Sequence, residues 1–195
     1  MADPGSVAYN FARKGVISIT KVDGVTEDDI FYTCLPLFHS NAQMLSCYPA
    51  MIAGARIQIS TRYSSTNFWR EVTECGATIL NTVSAMNYFL CNTPPGEYDR
   101  AHKVTRIMAM PAPKDIYYEF KERFGIRWHE GYGLTETGMV TYVPPGIVKP
   151  GSCGMASPGF EVSVVEPGTD RPVPSGTSGE IVVDMKLPNI VMRAY

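Results

Sequence analysis

The sequence predicts an α/β fold with a mostly parallel sheet, followed by a small antiparallel β region. Short apolar segments alternate with amphipathic ones between residues 30 and 133, which is the order of strands joined by helices. After residue 144 the chain becomes rich in glycine and proline, and its apolar residues alternate over short stretches typical of antiparallel strands. We therefore expect a boundary near Pro150, with an α/β subdomain at 25–150 and the start of an antiparallel subdomain at 151–195.

The first elements are predicted in the order β-α-β-α-β. FYTCLPLF, after Ile30, indicates a short buried strand that ends at Pro36. NAQMLSCYPAMIAGA is apolar enough for a packed helix that ends near Gly54, and ARIQIS then alternates like a strand. TNFWREVTEC predicts a helix stopped by Gly76. ATILNTV follows as a continuous apolar run, which is typical of strands in parallel sheets.

Two further helices and two further strands follow in alternation. SAMNYFLCN indicates a helix, the loop TPPGEYDRAHK comes next, and VTRIMAM is a strand. The clearest helix has Ile116, Phe120 and Phe124 at intervals of four residues, and Gly125 ends it. On this helix Glu119 is spaced to pair with Arg123. IRWHE is the next strand.

The composition is that of a globular protein. The 195 residues are 45% hydrophobic, and the 17 basic and 19 acidic residues give a net charge of −2 without basic or acidic blocks. This balance argues against nucleic-acid binding and against an anionic membrane surface. No apolar run reaches the length of roughly 18 residues that a membrane span needs. Five cysteines without a C-x-x-C pair favour a reduced, cytoplasmic protein.

The segment EGYGLTETG, residues 130–138, lies just beyond the predicted strand IRWHE, where open α/β sheets bind ligands. It is not a dinucleotide fingerprint, because Glu136 takes the position of the third glycine, and no Walker loop occurs in the chain. PSGTSGE resembles a phosphate loop only in composition. The segment suits a nucleotide with its metal: glycines let the backbone approach a base, Tyr132 offers a π face, Thr135 can donate to phosphate and Glu136 can hold Mg²⁺.

Three segments together resemble the adenylate-forming superfamily, which includes the acyl-CoA synthetases. They are LPLFH at 35–39, YGLTE at 132–136, and PGSCGMASPGFEVSVVE followed by GEIVV. The resemblance covers roughly residues 27 to 195, and the phrasing ERFGIRW is most similar to the carnitine-CoA ligase-like branch. It implies part of the large N-terminal domain of such an enzyme: a flavodoxin-like βαβ subdomain followed by a small antiparallel β subdomain.

The resemblance also implies an activity, cofactors and site residues. Members of this superfamily join a carboxylic acid to coenzyme A with ATP and Mg²⁺, through an acyl-adenylate. By its place in the motif, Glu136 is expected to bind the metal and Thr135 the α-phosphate, both as catalytic residues. Residues Glu130, Gly131, Tyr132 and Gly133 are expected to line the adenine.

A second wall of the nucleotide site is implied at residues 110–113. The superfamily has a Gly-Gly-Ala-Pro-like turn there, and this chain has Met110, Pro111, Ala112 and Pro113. The last three are expected to contact the nucleotide. The side chain of Met110 would narrow the space for the acyl group beside this turn and so alter which acid is accepted. His39, at the end of LPLFH, is expected at the edge of the acyl channel, although a hydrogen-bonded core histidine is an equally good reading.

Other reactive residues have plainer explanations. His129 and Glu130 are adjacent in a strand, so their side chains are expected on opposite faces. Ser40 follows His39 without the G-x-S-x-G context of a hydrolase nucleophile. His102, in a charged loop, is expected to be exposed to solvent. The aromatic residues at helical spacing, Tyr117, Tyr118, Phe120 and Phe124, are expected to pack in the core.

The superfamily's phosphate loop, T-S-G-T-T-G-x-P-K-G, is expected before LPLFH, but VAYNFARKGVISITKVDG occupies that region. We therefore expect residues 1–24 to lie outside the family, with MADPGS as a cloning scar, and the ribose-binding aspartate and catalytic lysine to lie beyond Tyr195. Two hypotheses stay open. The chain is part of an acyl-CoA ligase and inactive alone, or it is a truncated, noncatalytic module that binds a nucleotide, a ligand or another protein. Uncovered apolar surface favours self-association into a homo-oligomer.

Overall fold

The structure, a computed structural model, describes residues 24–144 and 146–188, and it confirms the α/β prediction. A five-stranded parallel sheet forms its centre, in the order β2-β1-β3-β4-β5. Its strands are β1 (Ile30–Thr33), β2 (Arg56–Ile59), β3 (Ile79–Thr82), β4 (Arg106–Ala109) and β5 (Arg127–His129). Because all five run in one direction, their carboxyl ends meet at one edge of the sheet. β1 ends earlier than the predicted Pro36, whose missing N–H is unsuited to a sheet ladder.

Helices join the parallel strands as the sequence predicts. The first helix, α1, has three consecutive parts, of which the middle one is π-helical: Ser40–Ala42, Gln43–Cys47 and Tyr48–Ala53. The others are α2 (Phe68–Cys75), α3 (Ser84–Asn92) and α4 (Tyr117–Phe124). Short 3₁₀ turns lie at Glu97–Asp99 and Lys114–Ile116. Three of the helices end at glycines with positive φ, at positions 54, 76 and 125, where a left-handed residue closes the last turn.

An aromatic core holds α2 and α4 against the sheet. It contains Tyr117, Phe120 and Phe124 as predicted, but Tyr118, which was expected there too, is 67% exposed because it lies on the outer face of α4. The ring of Trp69 lies 4.7 Å from that of Phe124, and Phe120 lies 4.8 Å from Trp128. All four side chains are buried. Offset and tilted rings at these separations each add stabilisation beyond the area that they bury.

Two expectations about charged residues are wrong. Arg123 does not pair with Glu119: its Nε lies 2.8 Å from Oδ2 of Asp99, and its Nη1 donates to the carbonyls of Cys91 and Thr93. These partners come from the end of α3 and the following loop. Together they stabilise the largely buried guanidinium more than an exposed ion pair along one helix would.

His102 is half-buried rather than solvent-exposed. Its ring stacks on Trp69 at 4.7 Å, and its Nδ1 accepts a hydrogen bond from the Val104 N–H. Burial lowers the pKa of His102 and favours the neutral ring. The loop around it is charged, but the histidine itself belongs to the edge of the core.

Antiparallel pairing begins earlier than the sequence predicts. EGYGLTETG, for which no strand was predicted, forms most of a hairpin of β6 (Gly131–Leu134) and β7 (Gly138–Tyr142), with β8 (Met155–Ala156) added to β7. The predicted pair FEVSVVE and GEIVVD is present as β9 (Phe160–Val165) and β10 (Glu180–Met185). No helix in the described part of the chain is long and apolar enough to cross a membrane.

Candidate functional site

The carboxyl edge of the parallel sheet gathers the segments singled out by sequence. LPLFH follows β1, residues 110–113 follow β4, and EGYGLTETG follows β5. Strand β4 lies directly beside β5, whereas β1 is separated from β4 by β3. The three segments are far apart in the chain, and the parallel topology brings them to the same edge.

The motif hairpin depends on two glycines for its own packing. A Cβ on Gly133 would lie 2.0 Å from the carbonyl oxygen of Gly138, and one on Gly131 would lie 2.7 Å from that of Thr141. No side chain fits at such distances from backbone. The register also shifts between Tyr132 and Gly133, so that Val140 is an extra, buried residue in β7. Glycine is therefore required at both positions by the strand pairing itself, whether or not a ligand binds.

The tip of the hairpin contacts the start of α1. The Oγ1 of Thr135, an exposed residue, lies 3.3 Å from the Oγ of Ser40. The turn itself is closed by Thr137, whose hydroxyl accepts the Leu134 N–H at 3.2 Å. Glu136 is half-buried between these two threonines. The predicted phosphate and metal residues thus share one turn, and α1 begins beside it.

His39 immediately precedes this contact. It is exposed, it occupies the N-cap position of α1 with an extended backbone, and its ring lies 4.7 Å from that of Phe38. The histidine is therefore not the hydrogen-bonded core residue that was the alternative reading. Its neighbour Ser40, which was not predicted to belong to the site, is the residue that touches Thr135.

The 110–113 segment lies against the base of the same hairpin. The sulfur of Met110 is 3.3 Å from the position that a Cβ on Gly131 would take. The Met110 N–H donates to the carbonyl of Thr82, and Pro113 is buried. Pro111 is exposed and Ala112 packs on the core. The two segments predicted to face each other across a base are therefore neighbours, and Met110 stands at their junction.

Glu130 is a buried carboxylate at the start of the motif. It is 8% exposed, and the backbone N–H of Gly151 is close enough to its carboxylate to interact with it. Burial raises the pKa of Glu130, and the Gly151 N–H partly offsets that rise. Its backbone carbonyl accepts from Val143. These contacts tie the motif to the chain that follows β7, whereas Gly131, Tyr132 and Gly133 are half-buried.

A buried polar network links α1 to the sheet beside the site. The Ser46 hydroxyl donates to Oδ1 of Asn81 at 2.6 Å, and Asn81 donates in turn to Oδ1 of Asn41. Ser46 and Asn81 are nearly inaccessible to solvent. Ser46 lies in the π-helical turn, a feature that is frequent at functional sites. Sequence reasoning missed this network because polar residues inside apolar segments gave no periodic signal.

The residues present fit a magnesium ion that arrives with a nucleotide rather than one held by the protein alone. In the described ranges, 24–144 and 146–188, no group of three or more His, Cys, Asp or Glu side chains could hold a metal. Mg²⁺ commonly takes one or two carboxylates together with substrate phosphates and waters. Glu136, which follows Thr135 in the hairpin turn, is the carboxylate predicted for that role.

Residues 6–195 of the sequence match the family described as AMP-binding enzyme. Over 193 residues the chain is 32% identical to a crotonobetaine/carnitine–CoA ligase of Escherichia coli O1:K1 / APEC, covering 96% of this chain and 36% of that protein. Over 120 residues it is 32% identical to the rat long-chain fatty acid transport protein 2, covering 61% of this chain and 19% of that protein. The chain therefore belongs to the AMP-binding enzyme family, which confirms the predicted superfamily, and carnitine-CoA ligases are among its relatives.

Solved structures support the same fold. ATP-bound MatB from Rhodopseudomonas palustris has a TM-score of 0.82 at 23% identity, covering 96% of this chain and 37% of that one. A benzoate CoA ligase from Burkholderia xenovorans LB400 has a TM-score of 0.81 at 19% identity, covering 93% and 37%. The chain thus spans about a third of the length of these proteins. The family match begins at residue 6 and so includes most of the 1–24 segment that we expected to lie outside the family.

Proposed function

We propose that this chain provides part of the nucleotide and acyl site of an ATP-dependent carboxylate–CoA ligase. In such an enzyme a carboxylate oxygen of the acid attacks the α-phosphorus of ATP, and the bond from that phosphorus to the departing pyrophosphate breaks. The coenzyme A thiolate then attacks the acyl carbon, and AMP leaves. Positioning and neutralisation of phosphate charge supply most of the rate in the first step.

We assign the roles in this proposal to side chains at the sheet edge. Thr135 donates its hydroxyl hydrogen bond to the α-phosphate, and Glu136 is the carboxylate that holds Mg²⁺. When bound with ATP, the metal would neutralise phosphate charge. Residues 130–133 line one side of the adenine and residues 111–113 line the other.

The substrate side of the proposal concerns the acid. His39 is exposed at the N-cap of α1, next to the Ser40–Thr135 contact, and this favours a place beside the reacting carboxylate. Met110 lies against Gly131 and reduces the space between the two walls. Met110 stands where the superfamily has glycine, so its side chain should give this chain an acid-binding pocket of a different shape from that of its relatives.

One observation carries the proposal: the 110–113 segment and the α1 start both contact the YGLTE hairpin. Met110 meets its base at Gly131, and Ser40 meets its tip at Thr135. A hydroxyl, a carboxylate and two backbone segments at the carboxyl edge of a parallel sheet are what a nucleotide phosphate with its metal requires.

Titration of the 195-residue chain with AMP in a calorimeter tests the nucleotide part. We expect saturable binding, and a Thr135→Val variant should weaken it by roughly ten- to a hundredfold, since a hydrogen bond to a charged group contributes about 1.5 to 3 kcal/mol. Thr169→Val, in the connection between β9 and β10, is the matched control and should bind AMP like the parent. Equal affinities in all three chains would refute the role of Thr135.

A turnover assay tests whether the chain alone is inactive, as both hypotheses predict. We expect the purified chain to bind AMP without converting acid, ATP and coenzyme A to a thioester, because groups that act as a unit lose most of the rate when any is removed. Thioester formation by these residues alone would show that the chain is a sufficient catalyst. ATP binding that is no tighter with Mg²⁺ than without it would favour the noncatalytic module.

A further inference from the structure

The segment from Met110 to Asp115 is attached to α3 at two points. The Ser84 hydroxyl donates to the carbonyl oxygen of Pro111 at 2.7 Å. The Tyr88 hydroxyl lies 2.6 and 2.7 Å from the two carboxylate oxygens of Asp115 and donates to that carboxylate. Ser84 and Tyr88 are four residues apart and so lie on one face of the helix.

The composition of the segment explains why it needs partners from a neighbouring helix. Two of its first four residues are prolines, which have no N–H and cannot donate backbone hydrogen bonds. The Met110 N–H is already bonded to the carbonyl of Thr82 at the end of β3. Beyond that bond, side chains of α3 supply the two polar contacts that fix the outer part of the segment.

The contacts are specific despite their place at the surface. The hydrogen bond to Asp115 raises the pKa of Tyr88 and so favours the protonated, donating phenol. Asp115 is the middle residue of the 3₁₀ turn Lys114–Ile116, which leads into α4, and Pro113, at the N-cap of that turn, is buried. The segment is thus held by packing on its inner side and by α3 on its outer side.

We infer that Ser84 and Tyr88 are positioning residues that hold the 110–115 segment in the conformation required of one wall of the nucleotide site. This inference rests on the proposed function, because the segment is the proposed adenine wall. Neither side chain needs to touch the nucleotide. Their effect passes through Pro111 and Asp115 to the backbone on which the base lies.

The test removes both contacts from the intact 195-residue chain. In Ser84→Ala/Tyr88→Phe, amide hydrogen exchange at Met110 and Tyr117, whose N–H groups donate to the carbonyls of Thr82 and Lys114, should accelerate, while exchange in β3 and β4 stays as in the parent. AMP affinity should fall roughly tenfold, as expected for two lost hydrogen bonds of modest net worth. The preference for AMP over GMP should shrink, because a displaced wall discriminates bases poorly.

The matched control is Tyr118→Phe, which removes an exposed phenol from α4 without removing either contact. It should leave exchange and AMP affinity unchanged. A second variant, Asp115→Asn, keeps an acceptor for Tyr88 and should retain most of the affinity. Retained affinity in Asp115→Asn would show that the double variant loses affinity through the lost hydrogen bonds and not only through a weakened fold.

The outcomes separate this inference from the proposed function. Unchanged exchange in the double variant overturns the inference, and so does accelerated exchange with unchanged AMP affinity and base preference. If the parent chain binds no AMP, the proposed function fails for this chain. The exchange comparison alone then decides whether α3 holds the segment.

Discussion

Replacing Gly133 by alanine tests the hairpin geometry most directly. The added Cβ would lie 2.0 Å from the carbonyl oxygen of Gly138, 2.7 Å from its carbonyl carbon and 3.0 Å from Cα of Met139. All three neighbours are backbone atoms, so no side-chain rotation relieves the contact, and β6 must move away from β7. Overpacking in well-packed regions costs typically 1 to 3 kcal/mol, and we expect the upper part of that range here.

The assay is thermal unfolding followed by circular dichroism. In a chain of this size each kcal/mol lowers Tm by about 2 to 4 °C, so Gly133→Ala should lower Tm by roughly 5 to 10 °C. Gly96→Ala is the matched control, because its backbone is extended and a Cβ there meets nothing within 4 Å. That variant should leave Tm unchanged or raise it slightly. If the two variants have the same Tm, the close approach of the strands is wrong.

Three further predictions concern the site and the core. In an enzyme that contains the complete site, Glu136→Ala should lower acid-dependent exchange of pyrophosphate into ATP far more than AMP binding; unchanged exchange would remove Glu136 from the mechanism. In the same enzyme, Met110→Gly with Pro111→Gly should shift preference toward bulkier acids by roughly 1 to 3 kcal/mol, and an acid panel ranked as before contradicts this. Burial lowers the pKa of His102, so the unfolded chain binds its proton first, and stability measured by urea unfolding should fall as pH drops below about 6.5. His102→Gln should flatten that dependence, and an unaltered pH profile would exclude this histidine as its source.

The parallel sheet could be predicted because its signals are local. Apolar runs such as ATILNTV, glycines after helices and the four-residue repeat of Ile116, Phe120 and Phe124 each act within one element. The confirmed elements all have such a signal. The Ile116 repeat also predicts the buried face of α4 correctly, since Phe120 and Phe124 are both in the core.

The contacts between distant elements could not be predicted in the same way. Glu119 and Arg123 have the spacing of a helical pair, but Asp99 and backbone carbonyls reach the guanidinium in the fold and replace Glu119. His102 lies in a charged sequence, and only the approach of Trp69 from α2 makes it half-buried. Spacing along the chain carries no information about partners that the topology brings from elsewhere.

The candidate site shows the same division between local and distant information. YGLTE and the 110–113 segment could be identified from their residues, but the hairpin formed by the motif was missed because glycine-rich sequence resembles a loop. Ser40, Ser84 and Tyr88 were not predicted as part of the site. Each acts through a partner between 27 and 95 residues away in sequence.

The motif residues divide into those that the fold requires and those that it does not. Gly131 and Gly133 are required wherever this hairpin forms, because their Cβ positions are filled by backbone of β7. A noncatalytic descendant with the same fold would therefore keep both glycines. The hydroxyl of Thr135 takes no part in the hydrogen bonds that close the turn, which Thr137 makes, and it reaches α1 instead. Substitutions at the glycines thus test the fold, whereas substitutions at Thr135 test function. AMP binding that survives the loss of the Thr135 hydroxyl would leave the motif explained by strand packing alone.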